Sequence, residues 1–382
     1  MKRKRLSALV LALMLALSLW GCGKTVIEPY ESTPPLDFAA AFQKHDPEEI
    51  VLYAGGEAVT WRELFYEVMY YARVLSGSET IAFESWDEPC LIVADADGSH
   101  PTYGSLVLQN ALTVITQYHV MHKNLTDAGA VLGKEALDAV DAVRQSAVDD
   151  NFGGDEAAFY AYLDDMFCTE ALWLWFHQVD ALYQYDGFTT LFGKNGADLP
   201  DADVLAYAAG DPAGNWTEYV QLKQIWLYTD DTAEDAAAAE TDALAQIEAA
   251  LAAAPADEAE AVFDALYAQY NENSELDVYG GSRAVYDGDV DEAVYHAALS
   301  LEDYAWTTAD TGGAQVVVMR VPLEPDANVV FDPESGTMYT LRYFAAWQSY
   351  ADRISGPDGW FAHATLEWAP GFEDFSLAEA FD

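Results

Sequence analysis

Apolar residues recur at helical spacing through most of the first half of the chain. Structure is expected to begin at the apolar run Ile50-Val51-Leu52-Tyr53, followed by a Gly55-Gly56 turn and a second short segment at Glu57-Ala58-Val59. Thr60 and Glu63 then stand at capping-box spacing, which predicts a capped helix from Trp61 to Leu75. Leu106, Leu108, Leu112, Ile115 and Val120 predict a helix over 103–123, and another is expected over 134–148. Phe159, Leu163 and Met166 keep i, i+4, i+7 spacing. Thr169 is placed to cap a helix carrying Leu172, Trp175, Phe176, Val179 and Leu182.

The pattern changes at Asp211-Pro212-Ala213-Gly214-Asn215, which reads as a boundary. Val220 to Leu227 is a strand-length apolar run. Two helical stripes follow, Leu244, Ile247, Leu251 and then Val262, Leu266, Tyr270, separated by Pro255. The tight turn Tyr279-Gly280-Gly281, a short helix opening at Asp291-Glu292-Ala293-Val294-Tyr295, and a closing strand at Val316 to Val321 complete this region. Past Pro322 the chain is rich in turn residues until a helix from Tyr339 to about Arg353 presents Leu341, Phe344, Trp347 and Tyr350. Beyond Gly356 the sequence is aromatic and acidic, and no element is assigned.

The extreme N-terminus has a different character. Lys2, Arg3, Lys4 and Arg5 precede the apolar stretch Leu6 to Leu19, too short to span a bilayer comfortably and typical of an export signal. It ends in Leu19-Trp20-Gly21-Cys22, which resembles a bacterial lipobox and implies lipidation of Cys22. The organisation expected is a signal over 1–21, a tether over 22–45, a helical domain over 46–212, a mixed domain over 213–324, and a C-terminal helix and tail over 325–382 that packs back on the helical domain.

The chain carries 65 acidic against 17 basic residues, a net charge of −48. Such a charge repels nucleic acid and anionic lipid, so membrane contact is expected only through the lipid anchor, and cationic or unfolded segments are the favoured partners. Cys90 and Cys168 are too few for a disulfide framework.

The order of strand, helices, Gly-Gly turn, short helix and terminal strand resembles a parvulin-type peptidyl-prolyl isomerase domain. The first half resembles the helical domain of SurA/PrsA-type extracytoplasmic foldases, down to Asn151-Phe152-Gly153-Gly154-Asp155-Glu156-Ala157-Ala158-Phe159, close to that family's Phe-Gly-x-x-Glu-x-Phe joint. The resemblance implies an α+β chain: an all-helical chaperone domain plus a parvulin-like domain of the FKBP-like superfold, with a small antiparallel sheet and helices. It further implies a membrane-anchored folding factor at the outer face of the cytoplasmic membrane that binds newly secreted polypeptides, without a cofactor. Parvulins share two core histidines. At the corresponding positions this chain has Gln224 on the first strand and Gln315 on the last, and glutamine does not titrate near neutral pH. The resemblance makes Val290 the seat of the prolyl ring, Trp226, Tyr279 and Tyr295 its aromatic neighbours, and Glu275 or Asp277 the central acid. The expectation is a degenerate domain that binds without catalysing.

Two further readings stay open: an active isomerase on the same scaffold, and a solute-binding lipoprotein, which the long helical first half disfavours. His119 and His122, three apart on one helix, form a candidate metal pair that lacks an evident third ligand. Asp95-Ala96-Asp97-Gly98 begins like a calcium loop without its later ligands, and Gly193-Lys194-Asn195-Gly196 lacks the spacing of a phosphate loop.

Overall fold

The computed structural model describes residues 37–76, 85–91, 93–94, 98–211, 217–228 and 234–381. The export signal, Cys22, Asp95 to Asp97 and the Pro212 to Asn215 boundary lie outside the described residues. In chain order the elements are α1 (Phe38–Phe42), β1 (Ile50–Ala54), β2 (Glu57–Thr60), α2 (Trp61–Ser76), α3 (Tyr103–Asp127), α4 (Lys134–Ser146), α5 (Glu156–Asp165) and α6 (Glu170–Ala181). Next come α7 (Phe188–Phe192), α8 (Asp201–Ala208), β3 (Val220–Tyr228), α9 (Glu234–Ala253), α10 (Ala259–Tyr270), β4 (Arg283–Val285) and α11 (Glu292–Leu299). The chain closes with β5 (Trp306–Asp310), β6 (Ala314–Val321), β7 (Asn328–Asp332), β8 (Thr337–Thr340), α12 (Leu341–Ser355), β9 (Leu366–Trp368) and α13 (Leu377–Phe381). None of the described helices is long and apolar enough to cross a membrane. The described residues fall into two compact units, one running to Thr190 and resuming at Asp352, the other Leu191–Ala351.

The first unit is chiefly helical. The expected stripe Phe159, Leu163 and Met166 on and after α5 is buried, as are Trp61, Leu64, Phe65, Val68 and Met69 on α2. On α3 the buried face runs through Val107, Ala111, Ile115 and Val120, whereas Leu106, Leu108 and Leu112 of the expected stripe are only half-buried. Thr169 caps α6 by accepting from Leu172 N at 3.2 Å, as its spacing predicts. The capping box at Thr60 is half made. Thr60 Oγ1 accepts from Glu63 N at 3.3 Å, but the Glu63 carboxylate turns to His119 instead.

Two features were not legible in the sequence. Residues 37–44, expected as part of the tether, contain α1, whose Phe38 and Ala41 are buried against Phe65 and Phe381. The tail, to which no element is assigned from sequence, contributes β9, which pairs antiparallel with β1 to make a three-stranded sheet in the order β2-β1-β9.

The second unit is built on a four-stranded antiparallel sheet in the order β4-β3-β6-β5. Both faces of β3 are covered, so the strand is buried along almost its whole length even though Gln221, Lys223 and Gln224 interrupt its apolar run. Ile225 and Leu227 point to one side with Val317, Met319 and Val321, under Ile247 and Leu251 of α9 and Phe263 and Leu266 of α10. Val220 and Leu222 point to the other with Val316 and Val318, under Val294, Tyr295 and Ala298 of α11. The edge strands β4 and β5 and the β7–β8 hairpin add to what the apolar pattern predicts.

α12 is tied in by Arg342. Its guanidinium bonds Asp326 at 2.6 Å and, at closer approach, the Leu199 carbonyl and Asp201. Gly196 lies against the same helix with φ +80°, and a Cβ there would fall 2.6 Å from Ala346 Cβ and 3.1 Å from Arg342 O. Gly196→Ala is therefore expected to destabilise this unit by about 2–4 kcal/mol, combining left-handed strain with overpacking. Gly280→Ala is the comparison, since Gly280 has φ +68° and open space around it. It should lose only the strain part, and equal losses in urea titrations of the two variants would refute the steric account.

Candidate functional site

The sheet face that carries Leu222 also carries Gln224 and Trp226, because side chains two apart on a strand share a face. Where α11 and its apolar cluster stop covering that face, an open cleft of about 230 Å³ remains. Its floor is Gln224 and Trp226. One wall is the turn of chain after α10, with Asn273, Glu275, Leu276 and Tyr279. The other is the approach to α11, with Asp289, Val290 and Asp291, and Arg283 of β4 closes the end.

Local chemistry fixes each wall. Asn273 Oδ1 accepts from Glu275 N at 3.1 Å and starts a short 3₁₀ turn, Ser274–Tyr279, which ends at Gly280 in the left-handed region. Asp291 caps α11 by accepting from Ala293 N at 2.9 Å. The floor is fixed as well. Trp226 Nε1–H donates to Gln224 Oε1 at 3.0 Å, and Gln224 is buried. With its oxygen engaged, the amide NH₂ is what Gln224 can still offer to a ligand.

Arg283 lies over the Tyr279 ring, its guanidinium carbon 4.6 Å from the centroid, and it is ion-paired with Asp289. Its Nε is buried with no hydrogen-bond partner among the described residues. Glu275 and Asp291 are exposed on the rim. Asp277 belongs to another environment, accepting from Tyr267 OH at 2.6 Å. Of the two acids considered from sequence, only Glu275 lines the cleft.

Gln224, Trp226, Tyr279 and Val290 thus meet in one cleft. Gln315 and Tyr295 do not join them. Gln224 opposes Val318 in the β3–β6 ladder and Gln315 opposes Leu227. Gln315 is therefore an odd number of residues from the partner of Gln224 and sits on the opposite face of the sheet, the α9–α10 side. The expectation that the two glutamines share a pocket is corrected by this parity. Tyr295 is buried in the apolar cluster beneath α11, and its OH donates to the Glu218 carbonyl at 2.9 Å. It supports the fold and does not face a ligand. Leu276, Asn273 and Arg283 were missed in the sequence, for they sit in turns or on a three-residue strand with no periodicity.

The groups lining the cleft include no imidazole and no thiol. Such a cleft can seat an apolar ring or side chain against Val290, Leu276 and two aromatic rings, and can donate hydrogen bonds to a backbone carbonyl.

A second polar constellation lies in the first unit. His119 is buried with both ring nitrogens engaged, Nδ1 with Glu57 at 3.0 Å and Nε2 with Glu63 at 2.7 Å. His122 Nδ1 lies 3.3 Å from the same Glu57 carboxylate, and Trp175 packs against both rings at 4.8 and 5.7 Å. Burial alone would lower the His119 pKa, but the bonds and charges of Glu63 and Glu57 outweigh it and raise the value. One helical turn on, desolvation with the nearby charge of Glu63 pushes buried Glu67 up to about 8. The carboxylate partner that the His119–His122 pair lacks in local sequence is thus supplied by β2. Even so, no group of three or more His, Cys, Asp or Glu among the described residues is arranged to hold a metal ion. Cys90 and Cys168 are both buried free thiols.

No family model matches this chain, and no curated protein sequence matches it. Among solved structures it is similar to the foldase protein PrsA from Streptococcus pneumoniae, at 16% identity and a TM-score of 0.23, over 69% of this chain and 90% of that one. It is also similar to PrsA from Bacillus subtilis, at 16% identity and a TM-score of 0.24, over 73% of this chain and 92% of that one.

Proposed function

We propose that this protein is an extracytoplasmic folding factor that holds unfolded polypeptide segments in the Gln224–Trp226 cleft. The observation that carries the reading is the lining itself: Val290 and Leu276 as an apolar seat and Trp226 and Tyr279 as aromatic walls. Such a surface binds by burial and stacking and tolerates many sequences. The basic and apolar N-terminus and the Cys22 motif support export and lipid anchoring.

Rotation about an X–Pro bond involves no bond cleavage, so a cleft that merely seats the ring could in principle lower the barrier of ~18–20 kcal/mol. Here the position on the floor belongs to an amide that is already bonded to an indole. Binding without appreciable catalysis is the expected behaviour. Purified protein should suppress aggregation of an unfolded client at stoichiometric amounts and leave a proline-limited refolding rate unchanged at catalytic amounts. Acceleration at catalytic amounts would replace this reading with an active isomerase.

Trp226→Ala removes the floor of the cleft. Aromatic anchors of this kind contribute about 2 kcal/mol or more to binding, so client-peptide affinity should fall at least about tenfold. Isothermal titration of the variant against the parent measures it, and unchanged affinity would move the site elsewhere.

A further inference from the structure

The charges around the cleft point to a preference that its apolar lining does not contain. The wall formed by Asn273–Tyr279 carries Glu275 on the rim, with Glu272 and Asp277 beside it. The opposite wall carries Asp289 and Asp291, with Glu292 following. The single cation lining the cleft is Arg283, and it is spent on Asp289 and on the Tyr279 ring. Glu275 and Asp291 therefore stand exposed on opposite walls of the cleft, Asp291 also capping α11 through Ala293 N, and no other cation among the described residues lines it. Two walls of one sign over a low-dielectric floor focus the field at the mouth, which raises the local concentration of cations there.

From this arrangement we propose that the cleft selects extended polypeptide segments in which Lys or Arg immediately flanks the apolar or prolyl residue seated against Val290. The proposal rests on the client-binding reading and adds its substrate class. The apolar residue supplies burial at Leu276, Val290 and Trp226. The adjacent ammonium or guanidinium lies at the rim between the walls carrying Glu275 and Asp291, where it meets acids of one sign that no cation lining the cleft neutralises. A carboxylate at the same position meets two acids and the already paired Arg283, and is rejected. Discrimination therefore comes as much from repulsion of acidic segments as from attraction of basic ones.

The experiment uses the full soluble chain without its signal and three peptides that share a Pro-Phe anchor and differ only in the preceding residue, Lys, Ala or Glu. Titration calorimetry at low and high salt gives the affinities. The Trp226 indole N–H resonance, held by its bond to Gln224, reports binding at the cleft itself. The Lys peptide is expected to bind at least about threefold tighter than the Ala peptide and at least about tenfold tighter than the Glu peptide, with both ratios shrinking at high salt. The double variant Glu275→Gln, Asp291→Asn keeps the cap on α11, since Asn caps as well as Asp, and should bring the three affinities together. A control, Glu135→Gln in the other unit, removes a like charge and should leave the ratios unchanged.

Three equal affinities would overturn the preference while leaving peptide binding in place. A Glu135→Gln effect as large as that of the double variant would assign the preference to net charge and likewise overturn it. Binding of none of the peptides would remove the underlying reading together with the preference.

Discussion

Removing the last stretch of chain, Leu366 to Asp382, is expected to abolish cooperative folding of the first unit. That stretch reads as an acidic, irregular tail, yet it completes a core. β9 pairs with β1 through Leu52–Trp368, Tyr53–Glu367 and Ala54–Leu366. Flanking bonds from Gly55 N to Thr365 O at 2.8 Å and from Ala369 N to Val51 O at 2.9 Å extend the ladder. Phe372, Leu377 and Ala380 are buried, and the Phe381 ring sits among Phe38, Phe65 and Trp86 at 5.2, 6.1 and 4.8 Å.

Each large side chain so buried contributes about 1.5–3 kcal/mol. Three of them with the strand pairing approach the whole stability of an ordinary domain, about 5–15 kcal/mol. The truncated protein should lose near-ultraviolet dichroism and amide protection over α2 and α3. The milder pair Phe372→Ala, Phe381→Ala should lower the unfolding midpoint of the unit without melting it. A truncated chain that keeps its protection pattern would show that the tail merely decorates the surface.

His119→Leu is the second large effect. It leaves Glu63, buried to the same degree as the imidazole, facing an apolar group, and breaking one half of a buried pair costs about 3–5 kcal/mol. The same cluster gives the first unit a pH dependence of definite sign. The raised His119 stabilises the fold fully below pH 6.5 and loses that contribution as pH climbs through its folded value. Glu67, raised from 4.5 to about 8, loses its contribution across that interval. Asp180, raised by burial to about 6 against the bond from Tyr118, acts likewise at lower pH. His177, lowered by burial to about 4, has the opposite sign: its contribution is present above 6.5 and fades as pH falls.

Between pH 6.5 and 8, then, Glu67 and His119 both push stability down as pH rises. One proton per group is worth about 1.4 kcal/mol per pH unit, so Glu67 alone gives about 2 kcal/mol over this window, or about 4–8 °C in melting temperature. Glu67→Gln, which cannot ionise, should raise the melting temperature at pH 8 and flatten the profile. A profile that rises with pH from 6.5 to 8, or one untouched by Glu67→Gln, would contradict the assignment.

Much of the fold was legible because its determinants are local. The stripes on α5, α6, α9 and α10 announce which face each helix buries, Thr60 and Thr169 announce helix starts, and Gly280 and Gly281 announce a turn that needs left-handed backbone. The β3 run was recognisable as a strand, and Gln224, Trp226, Tyr279 and Val290, named from sequence for the proposed site, line one cleft. Gln315 was misplaced for a specific reason. Face alternation along a strand is local, but which face matches which on the next strand is set by register, and register appears only once Gln224 is paired with Val318.

What the sequence determined by itself was the set of pieces: amphipathic helices, an apolar central strand, glycine turns and an acid-rich surface, each a consequence of nearest-neighbour chemistry. The tertiary structure alone decided three things. Those are the strand pairing of β9 with β1, the meeting of His119 with Glu57 and Glu63, and the side of the sheet on which a cleft stays open. Each joins residues tens to hundreds of positions apart. Such contacts arise from burial and pairing summed over the whole chain, and no short window of residues contains that sum.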